Sequence, residues 1–201
     1  MANDLTRRGT LAALAGGAAL AIAPRAAQAL TEAQARDLVQ SLVDDINAVI
    51  ASGKPEAAMY RDFERIFATY ADVPTVALYT LGVDGRAATD AQKRAYIEAF
   101  RGYIARKYGA RFRDFIGGRL EIEGVRRIKT YYQVRTTAYL RGEDPFFVDF
   151  HVSDRSGEPR FFNMFIEGVN MLLTEREEIG AMLDRRGRDL DRLIADLRTM
   201  G

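Results

Sequence analysis

The chain has 201 residues, 29 Lys+Arg against 28 Asp+Glu, one histidine, no cysteine and no tryptophan. Without cysteine it forms no disulfide, thiolate metal site or Cys–His catalytic pair, and one imidazole is too few for a clustered-histidine zinc or haem centre. Its near-zero net charge leaves no nucleic-acid footprint, which needs a net basic domain or stripe.

The first 29 residues read as an export signal. Thr6-Arg7-Arg8-Gly9-Thr10-Leu11 carries a twin arginine, Leu11 to Ala23 is uncharged and too short to span a bilayer, and Ala27-Gln28-Ala29 is a small-x-small cleavage site. The expectation is a twin-arginine signal peptide over 1–29 and a single domain over 30–201, exported to the periplasm. The leader holds three arginines and one aspartate, so residues 30–201 keep 26 basic and 27 acidic residues, and the mildly basic pI belongs largely to the leader. The remaining length suffices for a real hydrophobic core without staples.

Thr31-Glu32-Ala33-Gln34 is a capping-box pattern and starts a helix with Leu38, Leu42, Val43, Ile46, Val49 and Ile50 at helical spacing. Gly53 ends it, and Pro55 opens a second helix striped by Tyr60, Phe63, Ile66, Phe67 and Tyr70. A short helix runs from Val73 to Leu81, followed by turns at Gly82 and Asp84-Gly85. Thr89 and Gln92 form a second capping box. It leads a long helix lined by Tyr96, Phe100, Tyr103, Ile104, Tyr108, Phe112 and Phe115, with a break expected near Gly109.

Leu120 to Asn170 is rich in Tyr, Phe, Val and Thr, broken by Gly, Asp and Pro, and reads as three or four strands. In one run Tyr132, Val134, Thr136, Ala138 and Leu140 share a face opposite Gln133, Arg135, Thr137 and Tyr139. In the next, Phe146, Val148, Phe150 and Val152 oppose Phe147, Asp149 and His151. One sheet face is therefore expected to be apolar and the other largely wet. The last run is apolar on both faces, with Phe161 and Phe165 opposite Phe162, Met164 and Ile166. Thr174-Glu175-Arg176-Glu177 is read as a third capping box, and Asp189 starts a final helix with Leu190, Leu193, Ile194 and Leu197 on one face. Helices, then strands, then helices predict an α+β fold, with a curved antiparallel sheet of about four strands covered by helices, NTF2-like or cystatin-like in architecture.

Asp72-Val73-Pro74, Leu81-Gly82 with Thr89 and Gln92, the Phe100 to Tyr108 segment, Ile166-Glu167-Gly168-Val169 with Arg176, and Gly187-Arg188-Asp189-Leu190-Asp191-Arg192-Leu193-Ile194 together resemble the MlaC, or toluene-tolerance, family. The resemblance covers nearly the whole of 30–201. The sequence departs from the family pattern at Gly85 and Pro159, where tryptophans are usual, at Asn163, usually aspartate, and at Asn170, usually serine. The resemblance implies a periplasmic phospholipid carrier with a deep apolar cavity. Such a carrier shuttles lipid between an outer-membrane lipoprotein complex and an inner-membrane ABC transporter complex bearing an MCE-domain protein, and so maintains outer-membrane lipid asymmetry. The chain itself is not expected to span a membrane.

Under that reading phospholipid is cargo, and neither cofactor nor metal is expected. The cavity wall is expected from Phe63, Phe67, Val76 and Tyr79 on the early helices, and Phe100, Tyr103, Ile104 and Tyr108 on the long one. The strands contribute Tyr132, Val134, Thr136, Phe146, Val148, Phe150, Phe162, Met164 and Ile166. Arg106, Lys107, Arg111 and Arg113, or Arg126, Arg127 and Lys129, are the candidate docking patches. No catalytic residue is expected, since His151 and Asp149 lie on the polar strand face. Two other readings stay open: a carrier of hopanoids or other polycyclic lipids in the same family, and an NTF2-like small-molecule enzyme.

Overall fold

The computed structural model describes residues 29–109 and 117–201. The leader expected over 1–29 falls almost wholly outside them, as do Arg111, Phe112, Arg113 and Phe115. Five helices come first: α1 (Glu32–Ala51), α2 (Glu56–Tyr70), α3 (Val73–Leu81), α4 (Asp84–Ala87) and α5 (Asp90–Gly109). Strands β1 (Arg119–Ile128), β2 (Tyr131–Tyr139), β3 (Phe146–Ser153), β4 (Arg160–Ile166) and β5 (Val169–Asn170) follow, then α6 (Met171–Asp184) and α7 (Leu190–Leu197). The strands form one antiparallel sheet in the order β1-β2-β3-β4-β5. This is the expected α+β fold, with one strand more because two residues pair as β5.

Local chemistry sets the helix starts. At Thr31 the Gln34 N–H donates to Oγ1 at 3.2 Å, and Gln34 Oε1 accepts from the Thr31 N–H at 2.9 Å. Thr89 and Gln92 repeat the exchange at 3.2 and 3.1 Å. Each such cap contributes about 1 kcal/mol. The third expected box is not one, because Thr174 and Glu177 lie inside α6, which starts earlier. Its cap is Asn170, accepting from the Leu173 N–H at 3.1 Å, and Asn163 accepts from the Leu172 N–H at 3.2 Å. Two of the three positions where the strand region departs from the family pattern, Asn163 and Asn170, thus serve orphan amides of one helix start. Asp84-Gly85, expected as a turn, is a turn of helix in α4. At the far end of α5, a Cβ on Gly109 would meet the Tyr60 ring at 2.7 Å, so a side chain there would force α2 and α5 apart.

The sheet bends at two bulges, one between Ile122 and Gly124 of β1 and one on β4 opposite His151 and Val152. In the second, His151 pairs with Asn163 but Val152 pairs with Phe161, leaving Phe162 as the extra residue. The alternation expected for β4 therefore fails there. Phe161 joins the inner face, its ring 5.6 Å from that of Phe150, while the Phe162 ring packs edge-on against Tyr131 at 5.4 Å.

The inner face of the sheet is the one that α1 packs against. α1 lies over β1 and β2, held where the Leu120 N–H donates to Asn47 Oδ1 at 3.2 Å and Asn47 Nδ2 donates back to the Leu120 carbonyl at 3.4 Å. Val39, Leu42 and Val43 of α1 share a buried core with Val134, Val152 and Phe161. A second core joins α3, α5, α6 and α7 through Ala77, Tyr96, Phe100, Ile179, Leu183 and Leu193. The Val, Leu, Ile and Phe side chains among these contribute roughly 1.5–3 kcal/mol each on full burial.

Candidate functional site

Where α1 ceases to cover the inner face of the sheet, over β3 and β4, a cavity of about 360 Å³ opens. That lies within the range of small-molecule sites, roughly 300–1,000 Å³. The cavity sits between the two cores, and each wall comes from one periodic stripe. From α2 come Phe63, Ile66 and Phe67, from α3 Val76, and from α5 Phe100, Ile104 and Tyr108, spaced four residues apart. Val148 and Phe150 of β3 share one face, joined by Phe146. Met164 and Ile166 of β4 continue it, with Phe161 beside them and Phe162 bordering the edge. Leu42 and Ile46 of α1, Leu120 and Leu140 at the strand ends, and Met171 and Leu172 of α6 complete the apolar lining.

Five residues expected on this wall lie outside it. Tyr132, Val134 and Thr136 share the expected strand face, but α1 packs on that part of the sheet, so they are core. Thr136 Oγ1 closes on the Val148 carbonyl at 3.0 Å. Tyr103 is one helical step round from the 100–104–108 stripe and faces α6 and α7 in the second core. Tyr79 turns outward at 41% exposure, its ring beneath the Arg176 guanidinium at 4.9 Å.

Three polar residues border the cavity: Glu143, Asn163 and Glu175. Glu143 is exposed on the loop between β2 and β3. Asn163 spends its oxygen on the Met164 and Leu172 amides. Glu175 is 4% exposed. Its Oε1 accepts from Lys107 Nζ at 2.7 Å and from the Tyr108 hydroxyl. Its Oε2 has no hydrogen-bond partner among the described residues. Lys107 Nζ also binds Glu178, which accepts from the Tyr103 hydroxyl at 3.0 Å. Burial pushes the Glu178 carboxyl up, but the hydrogen bonds from Lys107 and Tyr103 outweigh it and hold the group below its ordinary value. Burial, with the nearby Glu175 charge, raises the Tyr103 hydroxyl.

The first expected docking patch is therefore not a solvated surface where it can be described. Lys107 belongs to this buried cluster, and Arg106 donates to the Leu197 and Met200 carbonyls at 2.6 and 2.8 Å. In the second patch Arg126 binds Gln133 at 2.9 Å. The outer face of the sheet is less wet than expected. His151 is only 9% exposed, its ring 4.7 Å from that of Tyr131 and 4.8 Å from that of Phe165. Burial lowers its pKa, against the nearby Asp149 charge that raises it. Asp149 is itself taken by Arg135, which donates to both oxygens at 2.8 Å. Among the described residues no group of three His, Cys, Asp or Glu side chains is placed to hold a metal ion, and no helix is long and apolar enough to cross a membrane.

A family model described as MlaC protein matches residues 36–199. Among solved structures, a phospholipid-binding protein from Ralstonia solanacearum, determined in complex with a phospholipid, is similar with a TM-score of 0.68. At 20% identity the match covers 82% of this chain and 98% of that one, and it establishes likeness of fold.

Proposed function

The chain belongs to the MlaC family, and on that premise we propose that it is a periplasmic lipid carrier, holding the acyl chains of a phospholipid in the cavity between the sheet and α2, α5 and α6. The observation that carries this reading is the cavity itself: an opening of about 360 Å³ between the sheet and the helices, walled by Phe, Ile, Leu, Val and Met. Protein interiors ordinarily close such space. Two acyl chains bring roughly 28 methylenes at about 0.8 kcal/mol each, on the order of 20 kcal/mol against crossing water bare. A cavity that matches the bilayer leaves the transfer nearly balanced, so direction must come from partners. The proposal includes shuttling between an outer-membrane lipoprotein complex and an inner-membrane ABC transporter complex, in support of outer-membrane asymmetry. Purified full chain, extracted with organic solvent and examined by mass spectrometry, is expected to release phospholipid in near-stoichiometric amount. Repeated recovery without lipid, after expression in a bacterium with two membranes, would sink the reading.

The carrier is proposed to reach the periplasm by the twin-arginine route. Replacing Arg7 and Arg8 together by lysine is expected to abolish export, and exported protein is expected to begin at Leu30. N-terminal sequencing of periplasmic material decides; an intact Met1 would remove the leader assignment.

The proposed activity is carriage without turnover of the lipid. A hydrolase needs a nucleophile, a base and an orienting group within reach of the substrate. His151 packs on the outer face of β3, against Tyr131 and Phe165, and its neighbour Asp149 is engaged by Arg135. His151→Ala is expected to leave lipid content and transfer within about twofold of wild type, with a modest loss of stability from the opened aromatic stack. Loss of transfer in a variant that stays folded would contradict this.

A further inference from the structure

We propose that the rings of Phe67 and Phe161 close the inner end of the cavity and act as a ruler for the cargo: they set the longest acyl chain that the protein carries. The inference rests on the carrier reading and adds a specificity to it.

The elements around the cavity agree on which end is open. Phe146 is the first residue of β3, Ile166 the last of β4 and Met171 the first of α6, and all three line the cavity together with Glu143, which is exposed. Tyr108, at the C-terminal end of α5, joins them through its hydroxyl on Glu175, one turn after Met171. α2 runs antiparallel to α5, with Tyr60 against Gly109 and Glu64 accepting from Arg101 Nε at 3.2 Å. Followed inward from this mouth, the lining ends on a phenylalanine in four elements: Phe67 of α2, Phe100 of α5, Phe150 of β3 and Phe161 of β4. Among the described residues, none further along these four elements borders the cavity. The Phe161 ring lies 6.2 Å from that of Phe67 and 5.6 Å from that of Phe150. Its backbone is fixed from behind. The Asp72 N–H donates to the Phe161 carbonyl at 2.8 Å, and Ala71 bridges to the same residue. Beyond it Ala71 and Val152 belong to the buried core around α1. A close-packed floor of this kind yields little.

The depth suits an acyl chain. From mouth to floor the wall is about 12 Å along α5, from Tyr108 to Phe100, and about 13 Å along β3, from Phe146 to Phe150. One leaflet of a bilayer's hydrocarbon core is about 15 Å deep. A chain that enters tail first therefore brings its terminal methyl group to the rings. A cavity open at both ends would match the bilayer for every methylene, and chain length would not matter. Against a closed floor each further methylene stays in water, at a cost of about fourfold in affinity.

The test loads delipidated full chain from a detergent-solubilised equimolar mixture of phosphatidylglycerols whose monounsaturated chains run from about 14 to 22 carbons, bracketing the leaflet depth. Detergent is dialysed out, vesicles are pelleted, and lipid left with the protein is quantified by mass spectrometry. Wild type is expected to show a cut-off, with lipids two carbons above it depleted more than tenfold relative to the mixture. Phe67→Ala removes one ring of the floor and is expected to move the cut-off at least two carbons longer. Phe67→Leu takes its place where alanine prevents folding, with a smaller shift in the same direction. Phe165→Ala removes a ring from the outer face, where it packs on His151, and is expected to keep the wild-type cut-off. Bound lipid that mirrors the mixture at every length in wild type overturns the ruler and leaves the carrier reading standing. So does a folded Phe67 variant with the wild-type cut-off, or a Phe165→Ala protein with the shifted one. No bound lipid of any length overturns the carrier reading and this proposal with it.

Discussion

Val134→Glu is expected to leave no folded protein, whereas Met164→Glu folds and loses its lipid. The two positions sit on the same face of one sheet. Val134 is fully buried between Val125 of β1 and Phe150 of β3, with the α1 core above it. A glutamate there is a buried polar group with no partner, at a cost of several kcal/mol against a total stability of about 5–15 kcal/mol. Met164 pairs with Phe150 from the other side, but its side chain borders the cavity. A carboxylate there meets open space in which it can stay hydrated, so the melting temperature is expected to fall by only a few degrees. It would, however, put a charge against the acyl chains, and bound lipid should drop more than tenfold. Circular dichroism with thermal melting, and mass spectrometry of extracts, read both variants. A folded Val134→Glu protein would contradict the packing of α1 on β2. A folded Met164→Glu protein with full lipid would remove this cavity as the binding site.

That contrast marks the boundary between what the sequence made legible and what it did not. Local chemistry was readable in advance: the boxes at Thr31 and Thr89, the stop at Gly53, and the single apolar stripe of α7. Each depends on residues within one or two turns. The strand alternation of β2 and β3 was readable for the same reason. Periodicity does not say which part of an apolar strand face a helix will cover, and so the buried Val134 and the cavity-lining Val148 looked alike. It also assumes an unbroken pleat. The extra residue opposite His151 and Val152 sends the Phe162 ring to the outer face, although nothing in Arg160-Phe161-Phe162-Asn163 announces a bulge. Tyr103 was misplaced because α5 is buried on two sides, with Phe100 serving both the second core and the cavity and Tyr103 only the core. The polar cluster had a faint signal that was missed. Glu175 stands four residues before Ile179 and seven before Met182, on the buried stripe of α6, while Lys107 stands four after Tyr103 on α5. A charged residue in phase with a buried stripe calls for a partner in the same phase on another helix.

Lys107→Met is expected to destabilise the protein by about 3–5 kcal/mol, the usual cost of removing one partner from a buried ion pair. Lys107 Nζ lies 2.7 Å from Glu175 and also binds Glu178, while the Glu175 side chain is only 5% exposed. Methionine keeps most of the apolar stem, so the loss is that of the cation rather than of packing. For a chain of this size the melting temperature should fall on the order of 10 °C. The companion variant separates charge from shape. Lys107→Met combined with Glu175→Gln leaves no uncompensated charge at position 175, so the double variant is expected to be more stable than Lys107→Met alone. The pH dependence follows from Glu178. Its carboxyl is held below the ordinary value of 4.5 in the folded protein by Lys107 and Tyr103, against burial. A carboxyl lowered by folding lends stability that is fully present above its unfolded pKa and is lost as the pH falls through the folded one. With Lys107 removed that acid-side loss should shrink, so the gap between wild type and Lys107→Met narrows below about pH 4. Equal melting temperatures for wild type and Lys107→Met at neutral pH would contradict the burial of the cluster. A double variant no more stable than Lys107→Met would show that the ammonium acts through packing and not through the Glu175 charge.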